Sequence, residues 1–132
     1  MNILVTGGAG FIGSNFIPYF LTTHKNISII NLDKLTYAGK LSNLEEVENN
    51  KRYTFIEGDI CNIELIESLF YKYKFKGVIH FAAESHVDNS IKNPDAFIKT
   101  NIFGTFNLLN VAKNFWMDAP KQFKTGFENS KF

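Results

Sequence analysis

The residues whose types and spacing could do chemistry fall in four short segments, each at the end of a short apolar run. The first is Thr6-Gly7-Gly8-Ala9-Gly10-Phe11-Ile12-Gly13, in which Gly7, Gly10 and Gly13 recur at three-residue steps. Glycines so spaced between a strand and a helix suit a dinucleotide. Gly7 permits the tight turn, Gly10 lets a pyrophosphate approach the backbone, and Gly13 lets helix and strand pack closely. The helix that opens there offers free N–H groups and a positive dipole end to phosphates. The second segment ends in Asp33, 20 residues beyond Gly13. A carboxylate there accepts the hydroxyls of an adenosine ribose and repels a 2′-phosphate, which favours NAD over NADP. Lys34, its neighbour, works against that repulsion. The third segment ends in Asp59, which could accept from an adenine amino group or be a solvated turn residue.

The fourth segment is Ala82-Ala83-Glu84-Ser85-His86-Val87-Asp88. Small Ala82 and Ala83 would let the nicotinamide half of a cofactor pass close to the backbone, with Ser85 and His86 facing a substrate. The plain alternative is a turn in which Ser85 caps a helix. His80 is expected to pack in the core, His24 to lie at the surface, and Cys61 to be a structural thiol.

These segments need a parallel sheet to bring them together, and the pattern of the chain supplies one. Strands are expected at Ile3–Val5, Ile27–Leu32, Tyr53–Ile56 and Val78–Ala83, alternating with helical stretches. Ile12, Phe16, Ile17, Phe20 and Leu21 place a helix over Phe11–Thr23, with Pro18 as a possible kink. Asn62 caps a second helix, carrying Ile63, Leu65, Ile66, Leu69 and Phe70, which Gly77 is expected to stop. Asn93-Pro94-Asp95 opens the longest helix with a cap, an N1 proline and an acidic first turn. Along it, one stripe holds Ile98, Ile102, Leu109, Ala112 and Trp116, and another holds Phe97, Leu108, Val111 and Phe115. Two stripes are more than one packing face needs. Either one meets a partner subunit or both are core. Beyond Trp116 the chain turns polar, with no further element expected.

The expected fold is therefore α/β, a Rossmann-type doubly wound sheet in the order 3-2-1-4. Residues 1–116 form its cofactor-binding half and 117–132 a polar segment ending before the next strand. Ligands of such sheets sit beyond the carboxyl ends of the strands, where strand order reverses. Strands one and four flank that point.

Composition narrows the function. The 132 residues carry a net charge of +1, with 45% hydrophobic and 20% charged residues, so disorder is not expected. That charge gives no electrostatic case for nucleic acid or an anionic membrane. A single cysteine excludes an internal disulfide and a cysteine-rich zinc module. Arg52 is the sole arginine, which leaves bidentate arginine recognition of phosphate almost unavailable. With no signal segment and no apolar run long enough to span a bilayer, a soluble, cytoplasmic protein is expected.

Several of these segments carry a resemblance. Met1 to Gly13, Asn31-Leu32-Asp33-Lys34-Leu35-Thr36-Tyr37-Ala38-Gly39, Gly58-Asp59-Ile60-Cys61 and Ala82 to Asp88 together resemble the N-terminal part of the dTDP-glucose 4,6-dehydratases. These are extended short-chain dehydrogenases/reductases with tightly bound NAD. The likeness runs from Met1 to about Trp116, and the second and fourth segments are more specific than the glycine loop. Related nucleotide-sugar epimerases and decarboxylases share the loop but fit those two segments less well.

The resemblance implies NAD contacts at Phe11 and Ile12, at Asp33, Lys34, Leu35 and Thr36, and at Asp59 and Ile60. It implies further contacts at Phe81, Ala82, Ala83, Glu84, Ser85 and Thr100. Ser85 and His86 would meet the sugar nucleotide, and the 94–116 helix would serve a homodimer. The family removes hydride from C4 of the sugar, eliminates water across C5–C6 and returns hydride to C6. A Tyr-x-x-x-Lys pair and a Thr-Asp-Glu group carry that chemistry. Neither occurs here: four residues after Tyr19, Tyr37, Tyr53, Tyr71 and Tyr73 stand Thr23, Leu41, Glu57, Phe75 and Gly77. An N-terminal fragment is expected, without activity of its own, with strand four as an unpaired edge and a tendency to self-associate. A non-catalytic binding fragment, or a piece of a related epimerase or decarboxylase, is the alternative.

Overall fold

The computed structural model describes residues 1–132. Four parallel strands, β1 (Asn2–Thr6), β2 (Ser28–Asp33), β3 (Tyr53–Glu57) and β4 (Gly77–His80), form one sheet in the order β3-β2-β1-β4. Registers such as Thr6 opposite Leu32 and opposite His80 bring the strand ends level. This is the expected doubly wound arrangement, with strand order turning at β1 and β4.

Period-two alternation divides the core into two layers. Ile3, Val5 and Ile29 pack with Ile17 and Leu21 of α1 (Phe11–Thr23) and with Leu44 and Val47 of a 3-10 helix, Leu41–Val47. Leu4, Ile30, Leu32 and Val78 face the opposite side. There they meet Ile66, Leu69 and Phe70 of α2 (Ile63–Tyr73) and Leu108, Val111, Ala112 and Trp116 of α5 (Thr105–Trp116). Trp116 also donates from Nε1 to the Phe75 carbonyl at 2.8 Å, so its buried ring leaves no orphan polar atom. The sole arginine closes the end of α1: Arg52 donates to the carbonyls of Leu21, His24 and Ile27.

Several expectations change in detail. Helix α1 runs unbroken through Pro18. Asn62 caps α2 as expected, accepting from Leu65 N, but the stop is Lys74 in a left-handed conformation (φ 53°), and Gly77 instead begins β4. The ladder of β4 ends at His80, so Phe81 to Ala83 form an extended exit rather than paired strand. Asn93 precedes Pro94 at the first helical position but makes no side-chain cap.

The longest helix is three pieces: α4 (Pro94–Phe97), a π segment (Ile98–Gly104) and α5, with a short α3 (Val87–Lys92) before them. Wider π turns carry the side chains off the 3.6-residue period, and this takes Ile98 and Ile102 out of register with Ala112 and Trp116 of α5. Ala112 and Trp116 are buried, whereas Ile98, Ile102 and Leu109 lie exposed with Phe103 and Phe106.

Beyond Trp116, where no element is expected from sequence, Met117–Ala119 (β5) and Gln122–Phe123 (β6) form a small antiparallel ribbon. The free edge of β4 is also not bare. Lys131 pairs in parallel with Gly77, its carbonyl accepting from Val78 N at 2.9 Å. No helix is long and apolar enough to cross a membrane.

Candidate functional site

The glycine loop is built from the backbone outward. Gly7 holds φ +70°, and a Cβ there would collide with the backbone of Phe81 and Ala82. A Cβ on Gly13 would strike the Gly7 carbonyl and the Gly8 backbone. Gly10 is different: a Cβ there would make only ordinary contacts, with the Gly7 carbonyl at 3.4 Å and the Ala38 carbonyl at 4.0 Å, and the residue lines the cleft. Gly10 is also the N-cap of α1 and has no side-chain cap, which leaves first-turn N–H groups free for an acceptor from outside. The tight turn expected at Gly7 and the close packing expected at Gly13 thus each have a physical ground in the backbone.

Two side chains of β2 hold this loop. Asn31 is fully buried in the strand, its Oδ1 accepting from Gly8 N at 3.1 Å and its Nδ2 donating to the Tyr53 hydroxyl at 3.0 Å. Burial raises the Tyr53 pKa, so the phenol stays protonated. Asp33, 8% exposed, accepts from Ala9 N at 2.8 Å through Oδ2 and from Leu35 N at 2.9 Å through Oδ1. It joins the glycine loop to the turn after β2.

Asp59 is no solvated turn residue. Its Oδ2 lies 2.7 Å from Lys34 Nζ, and its Oδ1 accepts from Cys61 N at 2.9 Å. Burial pushes its pKa up, but the bonds from Lys34 and Cys61 outweigh this and hold it below the usual carboxylate range. The same bond to Asp59 raises the pKa of Lys34. Cys61 donates to the Lys99 carbonyl at 3.3 Å, and burial raises its thiol pKa.

On the far side, Phe81 N donates to Thr6 O at 2.9 Å and starts the exit from β4. Asn101 of the π segment then clamps both backbone groups of Glu84, accepting from its N–H at 2.8 Å and donating to its carbonyl at 2.9 Å. The Tyr37 hydroxyl donates across the mouth to Glu84 Oε2 at 3.3 Å. His80 is packed as expected, hydrogen-bonded to the hydroxyls of Thr6 (2.6 Å) and Thr105 (3.0 Å). Burial lowers its pKa, which favours a neutral ring. His24 is a surface residue, stacked on Phe20.

Between the two sides lies a cleft of about 90 Å³. Of the residues expected from sequence it gathers Gly7, Gly10, Asp33, Lys34, Thr36, Asp59, Ile60, Phe81, Ala82, Ala83, Glu84 and Thr100. Phe11 and Ile12 stand outside with exposed side chains, contributing the start of α1 instead. Gly13 and Leu35 support the wall from behind. Ser85 and His86 are exposed beyond the lining, and the N-cap of α3 is His86, not Ser85.

Sequence reasoning missed Leu32, Ala38, Gly39 and Gly58 in the lining. It also missed the positioning amides Asn31 and Asn101. A polar residue inside the apolar run Ile29–Leu32 was the available sign for Asn31. Gly58 needs its lack of side chain, since a Cβ there would run into Leu32 and Leu65.

A parallel sheet with a glycine-rich turn, an acid ending the second strand and a cleft at the strand-order reversal defines a Rossmann-type dinucleotide-binding protein. Residues 4–126 match the sequence model of the GDP-mannose 4,6 dehydratase family, and the chain belongs to that family. It is 54% identical over 127 residues to a dTDP-glucose 4,6-dehydratase of Haemophilus influenzae, which covers 96% of this chain and 37% of that protein. The chain thus spans little more than a third of the length of the curated relatives it matches. Among solved structures it resembles a dTDP-glucose 4,6-dehydratase of Streptomyces venezuelae with NAD and TYD bound. The TM-score is 0.81 at 42% identity, covering 87% of this chain and 36% of that one. A UDP-glucose 4-epimerase of Thermotoga maritima with UDP-glucose follows at TM-score 0.77 and 36% identity, covering 87% and 35%.

Proposed function

We propose that these residues form the cofactor half of an NAD-dependent dTDP-glucose 4,6-dehydratase and bind the adenosine and pyrophosphate portions of NAD. The observation that carries this is Gly10. It lines the cleft at the uncapped start of α1, and no close contact within the chain demands a glycine there, so its place suits a phosphate, with Asp33 fixed nearby. Bound NAD supplies a hydride acceptor. The chain's own part is to place it: first-turn N–H groups of α1 on the pyrophosphate, Asp33 on the ribose, and Asp59 and Ile60 beside the adenine. Phe81 to Glu84 and Thr100 would line the path toward the nicotinamide, with Ser85 and His86 nearest the sugar nucleotide. Residues 1–116 carry this role, and the protein works in the cytoplasm.

The dehydratase reading is favoured over the epimerase one by the specific segments Asp33–Gly39 and Ala82–Asp88 and by the higher identity to dehydratases. Lacking Tyr-x-x-x-Lys and Thr-Asp-Glu, these 132 residues alone are without dehydratase turnover. The exposed Ile98, Ile102, Phe103, Phe106 and Leu109 favour a homodimer through the 94–116 helices. Calorimetry of the chain with NAD, beside an assay for the 4-keto-6-deoxy product, tests the proposal. Saturable binding without product supports it. No heat at millimolar NAD contradicts the binding, and product above blank contradicts the inactivity.

A further inference from the structure

Lys34 is the only cation lining the cleft, which also holds the carboxylates of Asp33, Asp59 and Glu84. It follows Asp33 directly, at the end of β2 where the ribose is expected. An ammonium in that place would attract a 2′-phosphate and offset the repulsion from Asp33. In this chain it is already engaged, 2.7 Å from Asp59 Oδ2. Asp59 is itself fixed, since Oδ1 accepts from Cys61 N in the turn between β3 and α2. The lysine side chain is 57% exposed, so what holds it is this partner rather than packing.

We infer that Asp59 determines cofactor specificity by sequestering Lys34, so that the Lys34–Asp59 pair, together with Asp33, makes the cleft reject a 2′-phosphorylated dinucleotide. This rests on the NAD reading above and extends it to a second strand. Discrimination is then a property of charge pairing between the loops that follow β2 and β3, and removing the acid after β3 frees the cation after β2.

The test is calorimetric titration of the 132-residue chain with NAD and NADP at low salt. Asp59→Asn keeps an oxygen acceptor for the adenine while releasing Lys34. It is expected to raise NADP affinity relative to NAD by about tenfold, roughly the weight of one partly solvated charge contact. The gain should shrink at high salt and disappear in Asp59→Asn with Lys34→Ala. Lys34→Ala alone, which leaves Asp59 unneutralised, should lower the ratio below that of the unaltered chain. Three results overturn the inference: an unmoved ratio in Asp59→Asn, a gain that survives loss of Lys34, or a Lys34→Ala ratio that does not fall, the last of which decides alone should Asp59→Asn not fold. If the unaltered chain binds neither dinucleotide, the NAD reading itself fails and the inference falls with it.

Discussion

The two sides of the cleft are built to different standards. On the side of β1 and β2, Gly8, Ala9 and Leu35 each donate to a buried or nearly buried side chain, and Gly7 and Gly13 sit against backbone that cannot move aside. On the side of β4 the ladder ends at His80, α3 contains no buried residue, and Ser85 and His86 are exposed. Beyond the Phe81–Thr6 bond, what orders that wall is Asn101, reaching from a π segment, and the Tyr37 hydroxyl on Glu84. The contrast shows where a parallel sheet can preorganise a site from its own core. The tighter half follows from strand–turn–helix packing. The looser half depends on groups brought from farther away.

Breaking the tight side should have the largest effect. Gly7→Ala demands a positive φ from alanine and drives a methyl into the Phe81–Ala82 backbone. A loss of about 3 kcal/mol or more is expected in urea unfolding, enough to unfold a marginal domain. Asp33→Ala is next. It strips acceptors from Ala9 N and Leu35 N in a nearly buried site, and about 2–3 kcal/mol should be lost in the same measurement.

The difference between the sides also explains what could be read from residues alone. The strand order, the glycine turn after β1 and the place of Asp33 at the end of β2 were legible because they follow from local spacing and period-two alternation. The end of α2 was not, since Lys74 adopts a left-handed conformation where Gly77, three residues on, was the more obvious stop. Nor was the split stripe of the long helix, because a π segment obeys no 3.6-residue repeat. Asn101 escaped for the same reason. Its partner, Glu84, is 17 residues away and is met through backbone atoms, which leave no mark on the side-chain pattern. Lys131 at the edge of β4 is likewise a long-range pairing that a polar C-terminal stretch does not announce.

A smaller effect sharpens the comparison at the point where the sides meet. His80 joins β4 to Thr6 of β1 and Thr105 of α5, and burial holds its folded pKa below 6.5. The neutral ring's contribution is therefore full above the unfolded pKa and is lost as pH falls through the folded one. Melting temperature should decline from pH 7 to pH 5, and His80→Gln should flatten that slope. Asp59, with its pKa lowered, contributes above the ordinary carboxylate pKa and loses that contribution only as pH falls through its folded value. Its window therefore lies below that of His80. The smallest effects belong to the loose side: Ser85→Ala and His86→Ala should each change stability by about 0.5 kcal/mol or less. A large loss at either would show that wall to be more firmly built than its contacts indicate.

The central claim is that the tight side alone recognises the adenosine–pyrophosphate half of a dinucleotide. Thermal melting with ADP-ribose and with nicotinamide mononucleotide, each at millimolar concentration, tests this directly. ADP-ribose should raise the melting temperature about as much as NAD does, and nicotinamide mononucleotide should leave it unchanged. No rise with ADP-ribose, or equal protection by nicotinamide mononucleotide, would contradict the account.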